Sequence, residues 1–313
     1  MNPEGRRGTM YGLLAYTLWG AFPLYFRLLE RSGPVEIVAH RVFWSLMVCL
    51  GIVAATRSHG QVLAALRVRR QALLLASAAV LIAINWGVYI YAVNSGQVVE
   101  ASLGYFVNPL VTVLLGVLVL RERLRPLQWI AVGTGVLAVA VLTFAYGRLP
   151  VIALTLAASF GLYGLMKKQV GGKVGALAGL TTETLLLGPF AAALIVWLQG
   201  SGQGHFTSGT VWQALLLVSA GVVTVVPLLL FAAAARRVPL STIGLLQYLT
   251  PVLQLLCGVL LLGEHMAASR WVGFGVVWLA LAMLTADGLR AGRRRGRISR
   301  GSRRAAEEDP LPA

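Results

Sequence analysis

The sequence predicts an all-α polytopic membrane protein, with ten transmembrane helices arranged as two five-helix repeats of inverted topology. Three observations predict it. Hydrophobic residues make up 58% of 313 and charged residues only 12%, and the apolar runs are too long and too many for a soluble core. Two long stretches are copies of each other, residues 101–143 matching 243–285 at a constant offset of 142 without a gap. Basic residues also crowd every second connection between apolar runs, as they do where loops alternate between the two sides of a bilayer.

At the offset of 142, Pro109 falls on Pro251, Gly116 on Gly258, Glu122 on Glu264, Trp129 on Trp271 and Gly133 on Gly275. Each copy reads as a proline-bearing apolar helix, a short loop opened by a glutamate, and a second, glycine-rich apolar helix. Fainter matches extend the repeat. Trp19-Gly20-Ala21-Phe22 resembles Phe160-Gly161-Leu162-Tyr163 at an offset of 141, and Arg41 corresponds to Glu183 at 142.

In chain order, ten segments reach the roughly 17 to 25 residues that a membrane-crossing helix needs. They are residues 9–28, 35–55, 72–93, 100–120, 127–145, 150–166, 174–198, 210–234, 240–262 and 268–289. The first repeat then covers residues 8–147 and the second 148–289. Residues 57–70 and 199–209 are the longer loops, and 290–313 form a basic tail expected to be disordered beside the anionic leaflet. The first segment follows Arg6 and Arg7 as a signal peptide would, but it carries Pro23 and ends in Arg27 rather than in a small-residue cleavage site, so it is read as a mature helix. Five helices per half is an odd number, so the second half runs upside down relative to the first.

Orientation follows from charge. With the amino terminus inside, 22 Lys and Arg fall in cytoplasmic segments, Lys167, Lys168 and Lys173 among them, and four fall on the opposite side: Arg27, Arg31, Arg148 and Arg270. Both termini are therefore expected in the cytoplasm, in a multi-pass protein of the cell's inner membrane. The formal charge of +16 is explained by these loops and the tail, so no nucleic-acid partner is inferred. Cys49 and Cys257, each within an apolar run, read as unpaired packing residues.

Motifs for catalysis are missing from the sequence. It has no GxxxxGK[ST] phosphate loop, HExxH helix or GxSxG elbow, and its histidines and cysteines lack metal-ligand spacing, so no enzyme, cofactor or metal is inferred. An inverted repeat instead lets one site open alternately to either side of the membrane, which suits a secondary carrier of a small molecule. A channel or a non-transporting membrane receptor is the competing class.

Candidate binding residues follow from cost, because an ionisable side chain near a helix centre costs about 2.5 to 3.5 kcal/mol on insertion and usually faces the bundle interior. Arg41 and Glu183 are the two clearest cases, and whether they touch each other is open. Arg41 is the candidate for recognising an anionic group such as a carboxylate. Glu183 is the candidate for exchanging a coupling proton as the cavity opens to each side. His40 is adjacent to Arg41 but points about 100° away on a helix. Asn85, Trp86, Tyr89, Tyr105, Asn108, Tyr163, Gln247 and Tyr248 form a polar-aromatic set able to line a cavity for an amphipathic molecule by stacking and a few hydrogen bonds. Pro109 and Pro251 fall mid-helix, where each removes a backbone donor, and they read either as helix breaks beside a midplane site or as passive kinks.

The stretches WGAFPLYFRLL, EIVAHRVFWS, NWGVYIYAVN, EASLGYFVNPL, LRERLRPLQW, SFGLYGLMKK and LSTIGLLQYLTP together resemble the RarD-type permeases of the EamA branch of the drug/metabolite transporter superfamily. The resemblance covers residues 8 to 289 and includes polar positions as well as apolar helices. It implies a ten-helix inner-membrane permease of the kind described as chloramphenicol-sensitive or chloramphenicol-resistance permeases, whose relatives export amino acids and other metabolites. One departure is Arg121, which stands where the family's Gly-Glu-Arg motif has glycine. The second copy keeps it as Gly263-Glu264.

The charge asymmetry predicts that cysteines introduced between Arg57 and Arg70 are labelled only from the cytoplasmic side, and those between Gly202 and Ser208 only from outside. Labelling of the tail from outside would overturn both the orientation and the helix count.

Overall fold

In a hydrocarbon environment the backbone must satisfy its own hydrogen bonds, and this chain does so with helices alone, with no strand among the described residues. The computed structural model describes residues 3–121, 123–170, 174–238 and 240–308, so Glu122, Gly171 and Lys173 lie outside the described residues. The helices in order are α1 (Pro3–Gly20), α2 (Phe22–Arg27), α3 (Gly33–Ala55), α4 (His59–Arg67), α5 (Arg69–Asn94), α6 (Val98–Leu120), α7 (Pro126–Tyr146), α8 (Val151–Val170), α9 (Ala176–Gly200), α10 (Val211–Ala235), α11 (Leu240–Leu246), α12 (Leu249–Leu256) and α13 (Ala268–Glu308). Among the described residues, eight helices are long and apolar enough to cross a membrane: α3, α5 to α10, and the apolar start of α13.

Two expected segments are interrupted. The segment at 9–28 breaks at Ala21 between α1 and α2, and the one at 240–262 breaks at Gln247 and Tyr248 before continuing through α12 into a wide π turn, Cys257–Leu261. Pro23 explains the first break, because it has no N–H to donate to the Trp19 carbonyl four residues earlier. The second segment supplies what the first lacks. Gln254 Nε2 donates to Trp19 O at 3.2 Å, Thr250 Oγ1 to Tyr16 O at 2.9 Å, and the Cys257 thiol lies 3.8 Å from Gly20 O. Gly20 permits this approach, since a Cβ there would lie 2.6 Å from Leu253 Cβ.

The paired prolines behave differently. Pro251 sits just after the break, in the first turn of α12, whereas α6 continues without interruption through Pro109. Of the two readings left open for these prolines, a break or a passive kink, Pro109 lies inside a continuous helix and removes one ladder bond. Two further differences concern the ends of spans. Within the expected loop at 57–70 the chain forms α4, whose Val62 and Ala65 face α9 and α5, with Leu66 half-buried beside them, while its other residues stay exposed. Past the last apolar stretch, the backbone of α13 remains helical to Glu308 where an unstructured tail is expected; its run of Arg, Ala and Glu favours helix.

The packing brings α3 against α9, α10 and α5, α8 against α5 and α6, α1 against α10 and α12, and α7 against α13. Close approach of α10 to α3 depends on Gly221, because a Cβ there would come within 2.5 Å of the Trp44 backbone. Thr224 and Arg41 lie three residues along from Gly221 and Trp44 on the same helices, so this contact also sets how near they come.

Gly221→Ala is expected to push α10 off α3 and destabilise the protein by about 1–3 kcal/mol. The check is the thermal unfolding midpoint of detergent-purified protein, and an unchanged midpoint would mean that these two helices are not in tight contact.

Candidate functional site

Two buried charged centres lie within the bundle. At the first, the Arg41 side chain on α3 donates from Nε to Thr224 Oγ1 of α10 at 2.9 Å. Its guanidinium lies 4.0 Å from the centre of the Trp86 ring on α5, and 5.2 and 5.4 Å from those of Phe26 and Phe22 on α2. Aromatic faces carry partial negative charge and attract the cation, by about 2 kcal/mol or more where water is excluded. The break at Ala21 redirects α2 and with it the two phenylalanines.

At the second centre, Glu183 on α9 accepts from Lys167 Nζ at 2.6 Å and from Tyr163 Oη at 3.3 Å. Lys167 and Tyr163 are one turn apart on α8, so both reach the same carboxylate. Gly179, one turn before Glu183, leaves room for the ammonium, since a Cβ there would lie 2.7 Å from Nζ. Arg41 and Glu183 therefore have separate partners and form no ion pair with each other.

Aromatic rings connect the two centres. Phe26 packs against Tyr89 at 6.1 Å, Tyr89 against Tyr105 at 5.7 Å, Tyr105 against Phe160 at 6.1 Å and Phe160 against Tyr163 at 5.9 Å between ring centroids. Asn85 holds this run in place: its amide nitrogen donates to Leu156 O and Ser159 Oγ, each at 3.1 Å, and its oxygen accepts from Tyr105 Oη at 3.2 Å.

Other residues of the expected set point elsewhere. His40 accepts from Trp44 Nε1 at 3.2 Å and stacks on Phe206. It belongs with a collar at the start of α3, where Glu36 accepts from the backbone N–H groups of His205 and Phe206 and from the Gln199 amide. Asn108 faces Gly161 on α8, Tyr248 Oη approaches Thr285 Oγ1 of α13 at 3.5 Å, and Gln247 sits half-buried at the break before α12. Thr224, Lys167, Phe22 and Phe26 were not singled out from the sequence. The charge pattern places Lys167 in a basic loop, and its link to Glu183 is visible only once α8 and α9 are packed. A polar hollow of about 400 Å³, lined by Gln97, Glu100, Arg148, Glu264, His265 and Arg270, lies apart from both centres. In it the Glu264 carboxylate accepts from Val98 N and Val99 N, at 2.6 and 2.9 Å, and so caps α6.

The profile of the EamA-like transporter family matches this chain twice, over residues 6–144 and 149–286. The chain belongs to the EamA-like transporter family. It is 51% identical to Protein RarD of Streptomyces exfoliatus over 93% of this chain and 92% of that one. It is also 40% identical to Protein RarD of Escherichia coli, over 93% and 98%. A Pseudomonas aeruginosa relative named chloramphenicol-sensitive protein RarD is 34% identical over 93% and 97%. A solved crystal structure matches the fold with a TM-score of 0.55 at 20% identity, over 88% of this chain and 96% of that one. This RarD-type EamA permease is thus a multi-pass membrane transporter.

The pairing at the second centre makes a stability prediction. Lys167→Gln leaves Glu183 buried and unpaired, at a cost of up to about 3–5 kcal/mol, reduced where water reaches the ammonium. The double variant Lys167→Gln with Glu183→Gln should recover most of the loss. Thermal unfolding of all four proteins measures the coupling, and additive effects would mean the pair is absent.

Proposed function

We propose that the chain is a secondary transporter of the inner membrane that exports or exchanges a small metabolite, such as an amino acid or an amphipathic drug, by alternating access. The reading takes the chain as ten membrane crossings in two inverted five-helix repeats, with both termini cytoplasmic. One observation carries it: the helix pairings recur when the two halves are exchanged. Packing of α5 on α8 corresponds to α10 on α1, that of α6 on α8 to α12 on α1, and that of α3 on α10 to α9 on α5, while α3–α9 and α7–α13 pair equivalent helices. Arg41 and Glu183 occupy equivalent positions on the central pair. A scaffold with this exchange symmetry has two related arrangements, one open to each side.

Drug transport is included because one relative's name refers to chloramphenicol, and the run of aromatic rings is suited to an amphipathic body. Coupling would use Glu183. When α8 and α9 part, the carboxylate exchanges its contact with Lys167 for a proton, and the reverse step returns it.

The test compares metabolites released by cells with and without the protein, then follows the leading candidates in proteoliposomes. Saturable flux stimulated by substrate on the opposite side is expected, whereas single-channel currents would favour a pore. Glu183→Gln should abolish flux driven by a pH gradient yet leave substrate exchange measurable, because exchange moves no net proton. Undiminished pH-driven flux in this variant would remove Glu183 as the proton carrier.

A further inference from the structure

Among the described residues, each buried carboxylate of the bundle lies beside a basic side chain, whereas one buried cation has no carboxylate beside it. Glu100 pairs with Arg148 at 2.7 Å, Glu183 with Lys167 at 2.6 Å and Asp287 with Arg125 at 2.7 Å, while Glu36 meets His205 at 3.1 Å. Arg41 is 3% exposed, yet it makes no ion pair among the described residues. Removing a guanidinium from water without a counter-charge is costly, and neither a threonine hydroxyl nor aromatic faces replace a carboxylate.

The geometry also leaves the guanidinium's most useful donors unassigned. Thr224 takes Nε, and the rings of Trp86, Phe22 and Phe26 surround the group, but the terminal nitrogens have no acceptor among the described residues. Those nitrogens form the fork that binds a carboxylate through two parallel hydrogen bonds. A second orphan lies nearby. Tyr89, one turn after Trp86 on α5, packs edge-on against Phe26, and its buried hydroxyl has no hydrogen-bond partner among the described residues. The second half shows the compensated arrangement: at the offset of 141 that aligns this helix, Lys167, which neutralises Glu183, corresponds to Phe26, whose ring faces Arg41 but brings no charge.

We infer that the transported molecule is an organic monoanion, its carboxylate held by the terminal nitrogens of Arg41 and its apolar body lying against Trp86 and the α2 phenylalanines. The cargo supplies the one negative charge that the protein omits. An inorganic anion would complete the charge but leave the aromatic surround without a role. The inference rests on the transport reading and narrows it to a substrate class.

The test uses the full chain in lipid nanodiscs and matched probes: phenylacetate with phenylacetamide, and 4-methylvalerate with its amide, which differ in charge but hardly in shape. Calorimetry should find each carboxylate bound at least about tenfold tighter than its amide, a difference of about 1.4 kcal/mol. Arg41→Gln should abolish that preference. Arg41→Lys, which keeps the charge but loses the fork, should retain part of it. Equal binding of acids and amides, no binding of either acid, a preference that survives in Arg41→Gln, or displacement of the acids by equimolar chloride would each overturn the inference. Saturable counterflow of a neutral or cationic metabolite, unchanged in Arg41→Gln, would overturn it while leaving the transport reading intact. Carboxylate binding that depends on Arg41, with no flux in proteoliposomes, would support the site and count against transport.

Discussion

The carbonyl of Trp19, released by Pro23 within an apolar segment, finds its donor inside the protein, in the side chain of Gln254 on another broken segment. In hydrocarbon an unpaired backbone group costs several kcal/mol, so an interrupted helix is tolerated only beside an element that completes it. The two interrupted segments are thereby held together, with Thr250 on Tyr16 O reinforcing the contact. The turn at Ala21 in its turn sends α2 across the bundle, where Phe22 and Phe26 reach the guanidinium of Arg41.

The same constraint governs charge. Each buried carboxylate has acquired a basic partner from a different segment of the chain, and Glu264 closes off the first two N–H groups of α6. Apart from Lys167 with Glu183, these contacts lie at the ends of the spans. The core near Arg41 is different, being held by packing, aromatic contacts and hydrogen bonds between uncharged partners or, at Arg41, to the Thr224 hydroxyl. Contacts of that kind are less directional than ion pairs, so helices meeting there can shift with less loss.

Equivalent positions of the two halves have diverged in chemistry while keeping their place. Arg41 and Glu183 occupy one pair of sites, Phe26 and Lys167 another. On the proposed alternating-access reading, the two arrangements would share similar backbone packing but differ in electrostatic surroundings. On that reading, a bound anion or a proton would favour one arrangement over the other.

The sequence by itself determined the class, the positions of nearly all the apolar segments and the buried identities of Arg41 and Glu183. Hydropathy and repeat register depend on local composition, and a charge within twenty apolar residues is visible without knowing what surrounds it. The break near Pro23 and the continuity through Pro109 were not legible, because a proline removes the same bond in both and only the neighbours decide whether the helix survives. Nor was α4, whose small apolar face has meaning only against α9. Most of all, tertiary structure decided partnership. Lys167 looked like one of several loop cations, and Thr224 and Phe26 like ordinary span residues. Their roles arise from distances between helices far apart in sequence, which no local pattern encodes.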